Sequence, residues 1–339
     1  MAALMRVAES VNAALHDALG DDPALYLLGE DVLDPYGGAF KVTRGLSTRF
    51  PGQVLTTPLS ESGIVGVAAG LALAGDRAIV EIMFSDFVTL AFDQIVNFAA
   101  KSVSMYGRPV PMPMVVRCPT GGGRGYGPTH SQSLQKHLVG VPGLALYEMS
   151  PFDDHRDLFA TMLGREEPCV LFEDKILYTR QMFTGGTIDG LFRYDRVGEI
   201  TRVGVGVGVG DPTGCDVALI APGGMVHRAL AAMRSLLLEQ EISCLLLVPR
   251  RLYPFDGDAV RDLLGGVRAV VVAEDGSGGG TWGAEVAHQL HQRMWGQLRR
   301  PVTLVHAADS VVPSAAHLEH AVLVQDTDLR QALEETFLG

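Results

Sequence analysis

Ile64-Val65-Gly66-Val67-Ala68-Ala69-Gly70-Leu71-Ala72-Leu73-Ala74-Gly75 runs for twelve residues without a charge, and Ala78-Ile79-Val80-Glu81-Ile82-Met83 follows almost at once. The first stretch reads as a helix over residues 64–73, so small-sided that it can pack closely on most faces. The second reads as a buried strand interrupted by Glu81. Just upstream lies Thr57-Pro58-Leu59-Ser60-Glu61-Ser62-Gly63. Ser60 can cap the helix, and a Glu in the first turn favours its dipole. Glu61 is therefore either a capping residue or a carboxylate kept for chemistry. The chemical reading gains only if other parts of a site stand elsewhere.

Working outward, the same alternation recurs. Residues 5–19 have helical spacing and stop at Gly20-Asp21-Asp22-Pro23. Strands are expected at 25–28, 113–117, 144–148 and 169–173, with helices at 87–102 and 155–163. Strands alternating with helices specify a parallel sheet covered on both faces. Near residue 185 the character changes, and Val203-Gly204-Val205-Gly206-Val207-Gly208-Val209-Gly210 is of low complexity. That run reads as an edge strand or a linker, with a domain junction and a strand at its end the preferred reading. Strands at 217–220, 243–248, 269–273 and 302–305 then alternate with helices at 226–240, 258–264 and 283–294. The expected fold class is α/β, with two tandem three-layer domains and mainly parallel sheets. The expected boundaries are 1–185, a linker at 186–214, and 215–339.

The bulk composition narrows function by exclusion. A chain of 339 residues, 47% apolar and 19% charged, can bury two ordinary cores. Its net charge of −12 and lack of a Lys/Arg block argue against nucleic acid or an anionic membrane as partner. Cys118, Cys169, Cys215 and Cys244 are widely spread, form no C-x-x-C pair, and read as reduced core residues of a cytoplasmic protein. No run approaches the ~18 apolar residues of a membrane span. The start of the chain turns polar too soon for a signal peptide. Only four lysines are present, Lys41, Lys101, Lys136 and Lys175, which suggests a GC-rich genome.

Several segments offer chemistry. Gly121-Gly122-Gly123-Arg124-Gly125-Tyr126-Gly127 opens from a strand and leads to Pro128-Thr129-His130-Ser131-Gln132-Ser133. The glycines serve tight turns or a phosphate cradle, but neither G-x-x-x-x-G-K-[ST] nor a strand–GxGxxG–helix arrangement is present. His130 sits on a polar loop beyond a strand end, where open α/β sheets bind ligands, and histidine titrates in the physiological range. Phe84-Ser85-Asp86-Phe87 places aromatic surface at another strand end. Asp93 and Asn97 share one helix face. Glu30, Asp31 and Asp34 form an acidic loop without the spacing of a calcium loop, so no metal ligands are assigned. Glu274-Asp275-Gly276-Ser277-Gly278-Gly279-Gly280 reads as a flexible connection after a strand, too short for a nucleophile elbow.

Taken in order, these segments resemble one family over nearly the whole chain. It is the β-subunit of the thiamine-diphosphate-dependent decarboxylating component of 2-oxo-acid dehydrogenase complexes, of pyruvate, branched-chain and acetoin type, within the transketolase-like superfamily. The resemblance is carried by Leu27-Leu28-Gly29-Glu30-Asp31-Val32, Gly38-Ala39-Phe40-Lys41-Val42-Thr43-Arg44-Gly45-Leu46, and Thr57 to Glu61. It continues through Glu81 to Phe87, Phe92-Asp93-Gln94-Ile95-Val96-Asn97, the glycine-rich loop to Ser133, and Pro249 to Asp256.

The resemblance implies a role for each candidate. Glu61 would hydrogen-bond the ring nitrogen of the cofactor's aminopyrimidine, its pKa raised by a dry setting. Phe87 would stack on that ring, with Met83 on the same wall and Glu30 near the pyrimidine. His130 would contact the intermediate or assist acyl transfer. The diphosphate and Mg²⁺ are held in this family by a G-D-G stretch followed by Asn. Here the only asparagines are Asn12 and Asn97, with no G-D-G before either. An α-subunit would supply that half, in an α2β2 heterotetramer. The implied reaction takes a small-molecule acyl donor, a 2-oxo acid, and passes its acyl group to a lipoyl-bearing acyltransferase or carrier protein. The alternative is a specialised relative that moves a two-carbon unit from a ketose phosphate to a lipoyl or acyl-carrier protein. The Val/Gly run and the segment Ala308-Asp309-Ser310-Val311-Val312-Pro313 depart from the family pattern.

Overall fold

The computed structural model describes residues 5–208 and 214–339. The chain divides into two compact units, residues 1–120 with 138–182, and residues 121–137 with 183–339. No helix among the described residues is long and apolar enough to cross a membrane.

The first unit contains strands β1 (Leu25–Gly29), β2 (Val54–Thr56), β3 (Arg77–Glu81), β4 (Met114–Thr120), β5 (Ala145–Glu148) and β6 (Cys169–Asp174). They run parallel in the order β5-β6-β4-β3-β1-β2. Helices α1 (Val7–Asp21) and α5 (His155–Leu163) pack together over Leu27, Ile79, Val115 and Leu171. The alternate residues Leu28, Val80, Val116 and Val170 are buried as well, as a sheet covered on both faces requires. The one-turn helix α2 (Leu46–Arg49) lies in the loop before β2, and α3 (Glu61–Ala74) packs on β3 and on residues 85–99.

Two local expectations fail here. Residues 87–102 are not one regular helix: Ser85–Ala91 is a 3₁₀ turn, Gln94–Ala99 a π segment, and α4 only Ala100–Ser102. The segment is rich in aromatic and β-branched residues, which favour a regular helix less than Ala or Leu does. Ser85 is also drawn inward, with its hydroxyl 3.0 Å from the hydroxyl of Thr120. Nor does α3 pack on most faces within this chain. Ile64, Val65, Ala68, Ala69 and Ala72 are buried, whereas Gly63, Val67, Gly70, Leu73 and Ala74 are exposed.

The second unit contains β7 (Thr187–Ile188), β8 (Phe192–Val197), β9 (Ile200–Gly204), β10 (Val217–Ile220), β11 (Cys244–Pro249), β12 (Arg251–Tyr253), β13 (Val270–Ser277) and β14 (Thr303–Ala307). Seven of these form a sheet in the order β14-β13-β10-β11-β9-β8-β7. β10, β11, β13 and β14 are parallel, and the β9, β8, β7 edge is antiparallel. The helices are α6 (Val226–Gln240), α7 (Gly257–Leu264), α8 (Trp282–Arg293), α9 (Ala316–Val322) and α10 (Asp326–Leu338).

Residues 186–204, expected to open a linker, are thus largely sheet. Gly198 turns the chain at φ 59°, so that Val197 pairs with Ile200 and the hairpin extends the second sheet. The strand lies at the start of the Val/Gly run, not at its end, and Val209 and Gly210 lie outside the described residues. Glu274-Asp275-Gly276 likewise belongs to a strand, because β13 continues to Ser277 across a register shift.

Candidate active site

Glu30 and Glu61 meet at the C-terminal edge of the first sheet. β1 ends at Gly29, and Glu30 is the next residue. Gly29 is needed there, since a Cβ would come within 3.0 Å of the Glu81 carbonyl oxygen on β3. Thr57 donates its amide to the Gly29 carbonyl at 3.1 Å and brings the start of α3 alongside. Ser60 occupies the N-cap position, but its side chain makes no capping hydrogen bond. Its backbone N–H goes to the Glu30 carboxylate.

Burial raises the pKa of Glu30, and the neighbouring Glu61 charge raises it further. Its Oε1 is buried without a hydrogen-bond partner in the chain. The dry carboxyl expected at Glu61 is therefore found at Glu30, while Glu61 itself is half-buried at the first turn of α3. Two carboxyl groups, one of them biased to keep its proton, suit a ring that carries both a donor and an acceptor.

Aromatic side chains line the next strand end. The rings of Phe84 and Phe87 meet edge to face at 5.9 Å, and those of Phe84 and Phe40 at 5.7 Å. Phe40 also packs on Tyr178 at 5.2 Å, and the Lys175 ammonium lies 5.4 Å from the Phe84 ring centre. Met83 and Phe87 are half-buried.

Behind this wall, Arg117 is fully buried between Glu81 and Glu173. Tyr178 donates its hydroxyl to Glu173. Burial opposes the Arg117 charge, but Glu173 and Glu81 outweigh it and hold the guanidinium protonated. Of this network the sequence reading singled out only Glu81, as an interruption. The signal was available: one charge in each of three otherwise apolar stretches that become adjacent strands.

The carboxylates of the acidic loop have separate roles. Asp34 accepts the Gly45 amide at 2.8 Å, the Ser47 hydroxyl at 2.9 Å, and both the amide and hydroxyl of Thr48 at 3.1 and 2.6 Å. These bonds, the Thr48 hydroxyl foremost, hold its carboxyl well below the usual range. Asp34 is an anchor for α2. Among the described residues no group of three His, Cys, Asp or Glu side chains is placed to hold a metal ion. Asn97 donates to Asp93 at 2.7 Å, as two residues on one helix face can.

The glycine-rich loop and His130 belong to the second unit. Gly121, Gly123, Gly125 and Gly127 all have positive φ, a conformation that an L side chain would strain. The alternation turns the amides of Gly123 and Gly125 onto one carboxylate, Glu319, at 2.9 Å each. The cradle considered for a phosphate is thus filled by the chain's own side chain. The second glycine-rich stretch behaves alike. Glu274 is buried, which raises its pKa, and it accepts the Trp282 and Gly283 amides at the start of α8. His130 is half-buried, with Nδ1 2.9 Å from the Thr129 hydroxyl. The site residues therefore divide: Glu30, Glu61, Met83 and Phe87 in one unit, His130 in the other.

Paired carboxyls and aromatic rings thus stand at strand ends of the first, parallel sheet. The family described as the transketolase pyrimidine-binding domain matches residues 4–181, and the transketolase C-terminal domain matches residues 206–329. The β-2 subunit of the pyruvate dehydrogenase E1 component from Oryza sativa is 31% identical over 97% of this chain and 85% of its own length. The β-subunit of acetoin:2,6-dichlorophenolindophenol oxidoreductase from Cupriavidus necator is 30% identical over 100% of this chain and 99% of its own. The pyruvate dehydrogenase E1 β-subunit from Rickettsia felis is 30% identical over 97% of each. A split-gene transketolase, solved as an inactive β4 tetramer, shares the fold with TM-score 0.69 over 97% of each chain at 19% identity. The chain belongs to the transketolase-like family, whose cofactor is thiamine diphosphate, in the group of 2-oxo-acid dehydrogenase E1 β-subunits.

Proposed function

We propose that this chain is the β-subunit of a heteromeric enzyme that decarboxylates a 2-oxo acid and passes the acyl group to a lipoyl carrier. The observation that carries the reading is the Glu30–Glu61 pair, with its buried and unpartnered Glu30 oxygen, on the unit that also bears Phe87. That arrangement fits the aminopyrimidine half of thiamine diphosphate. When bound, the cofactor supplies the carbon nucleophile and the electron sink for decarboxylation.

The chain's own residues prepare that chemistry. Glu61 presents its carboxyl to the ring nitrogen and exchanges a proton with it. Glu30 keeps its own proton to higher pH, because burial and the Glu61 charge both disfavour its ionised form. The pair is thereby biased toward one donor and one acceptor. Phe87 and Met83 supply apolar faces that fix the ring and exclude water. His130 serves as acid or base at the acyl-transfer step.

The diphosphate and Mg²⁺ fall to a partner α-subunit, since a G-D-G stretch followed by Asn is missing from the sequence. The reading includes an α2β2 heterotetramer and a lipoyl-bearing acyltransferase partner in the bacterial cytoplasm. Four free cysteines are in keeping with that compartment. The test is to co-purify this chain with its α-subunit and measure CO2 release from pyruvate and branched-chain 2-oxo acids. Cofactor-dependent release that is lost in Glu61→Gln supports the reading. Consumption of a ketose phosphate without CO2 release overturns it in favour of two-carbon transfer.

A further inference from the structure

We propose that Glu319 is a positioning residue: its carboxylate clamps the glycine-rich loop and thereby sets His130 for acyl transfer. The inference rests on the role given to His130 above, but its structural half stands on contacts within the second unit.

Glu319 is 4% exposed, although a glutamate on a seven-residue surface helix would ordinarily reach water. Each of its oxygens takes one amide, Oε1 from Gly123 and Oε2 from Gly125, both at 2.9 Å. Such charge-assisted bonds are stronger than neutral ones. The contact is close along the whole loop. A Cβ on Gly122 would come within 2.6 Å of Leu323 Cδ1, and one on Gly127 within 2.4 Å of Ser314 Oγ. The loop is seated directly on residues 314–323.

The far end of the same segment carries the opposite charge. Lys136 donates to the Ser277 carbonyl at 2.9 Å, its hydroxyl at 3.1 Å, and the Gly278 and Gly279 carbonyls at 3.3 and 3.1 Å. His130 lies between these two anchors in sequence. A loop so rich in glycine loses much conformational entropy on ordering. One carboxylate accepting from it and one ammonium donating out of it offset that loss. The result is a histidine already in position before its reaction partner arrives.

The experiment compares Glu319→Gln, His130→Ala and the double variant in the reconstituted αβ enzyme. Gln keeps one acceptor oxygen but turns an amide group toward the other glycine N–H. We expect hydrogen exchange in peptides spanning residues 121–127 to speed up ~10-fold or more as those amides lose protection. We expect kcat for acyl transfer to fall ~10- to 100-fold with KM for the 2-oxo acid nearly unchanged, as for a displaced catalytic group. Glu319→Gln should add nothing to His130→Ala, because it acts through that residue.

Unchanged exchange in Glu319→Gln overturns the clamp. Faster exchange with multiplying, independent losses in the double variant overturns the link to His130. Full acyl transfer by His130→Ala overturns the role given to His130 itself, and exchange alone then judges the clamp. Lys136→Met probes the other anchor, and unchanged exchange over residues 128–137 in that variant overturns the two-anchor description.

Discussion

Arg117 and Glu173 form a two-point ion pair in which neither side chain reaches solvent, with Nε 2.9 Å from Oε1 and Nη2 2.6 Å from Oε2. Glu81 takes a third guanidinium donor from the neighbouring strand. Arg117→Met removes the cation and strands two carboxylates, so it should destabilise the protein by ~3–5 kcal/mol. Tyr178→Phe removes one hydroxyl donor from Glu173 and should cost ~1–3 kcal/mol. Denaturant unfolding of each variant checks the ranking. Arg117→Met no more harmful than Tyr178→Phe would count against it.

Glu30 titrates above its ordinary 4.5, because of burial first and Glu61 second. The folded state therefore binds the Glu30 proton more tightly than the unfolded state does. Its contribution to stability is present below 4.5 and is lost as pH rises through the folded value. Glu61→Gln removes the like charge and leaves burial in place. The Glu30 midpoint should fall but remain above ordinary, as followed by carbon-13 NMR of the side-chain carboxyl. A midpoint that does not move would separate the two carboxyls.

Asp34 behaves in the opposite sense. Its carboxyl is held low by the Thr48, Gly45 and Ser47 donors. Its contribution is fully present above the unfolded carboxylate value and is lost as pH falls through the folded one. Asp34→Ala should cost ~1 kcal/mol at neutral pH, the usual scale for a lost cap. That deficit should shrink in strong acid. Thermal unfolding at neutral and acid pH reads both, and an equal deficit at the two would refute the assignment.

Gly122 offers a steric test of the seat beneath the loop. Gly122→Ala drives a methyl group toward Leu323 at 2.6 Å and should cost ~1–3 kcal/mol through overpacking. Leu323→Ala makes room, so the double variant should lose less than the sum of the two single changes. Strict additivity would show that the two side chains do not meet.

Regular elements were legible in the sequence wherever periodicity and stop signals agreed. The helix at His155–Leu163, the strand at Val217–Ile220 and the helix at Val226–Gln240 fall on their expected limits. The hairpin at 192–204 was hidden because it runs into a Val/Gly repeat that resembles a linker, and pairing with β11 is a long-range event. The Glu30–Glu61 relationship came from resemblance, yet the sequence assigned the dry setting to the wrong member. Burial at Glu30 follows from how α3 folds back on β1, which no local pattern records. Arg117 and Glu319 were missed for a similar reason: a charge gains meaning only beside its partner, and theirs lie far away in sequence.

The bonds from Gly123 and Gly125 to Glu319 span 196 and 194 residues. A ribosome makes the loop long before it makes the carboxylate that fits it. Through that interval the amides of Gly123 and Gly125 lack the carboxylate that receives them, whatever the first sheet has already achieved. Seating of the loop that carries His130 thus waits until residue 319 has been made, and a product arrested earlier would carry His130 on an unseated loop.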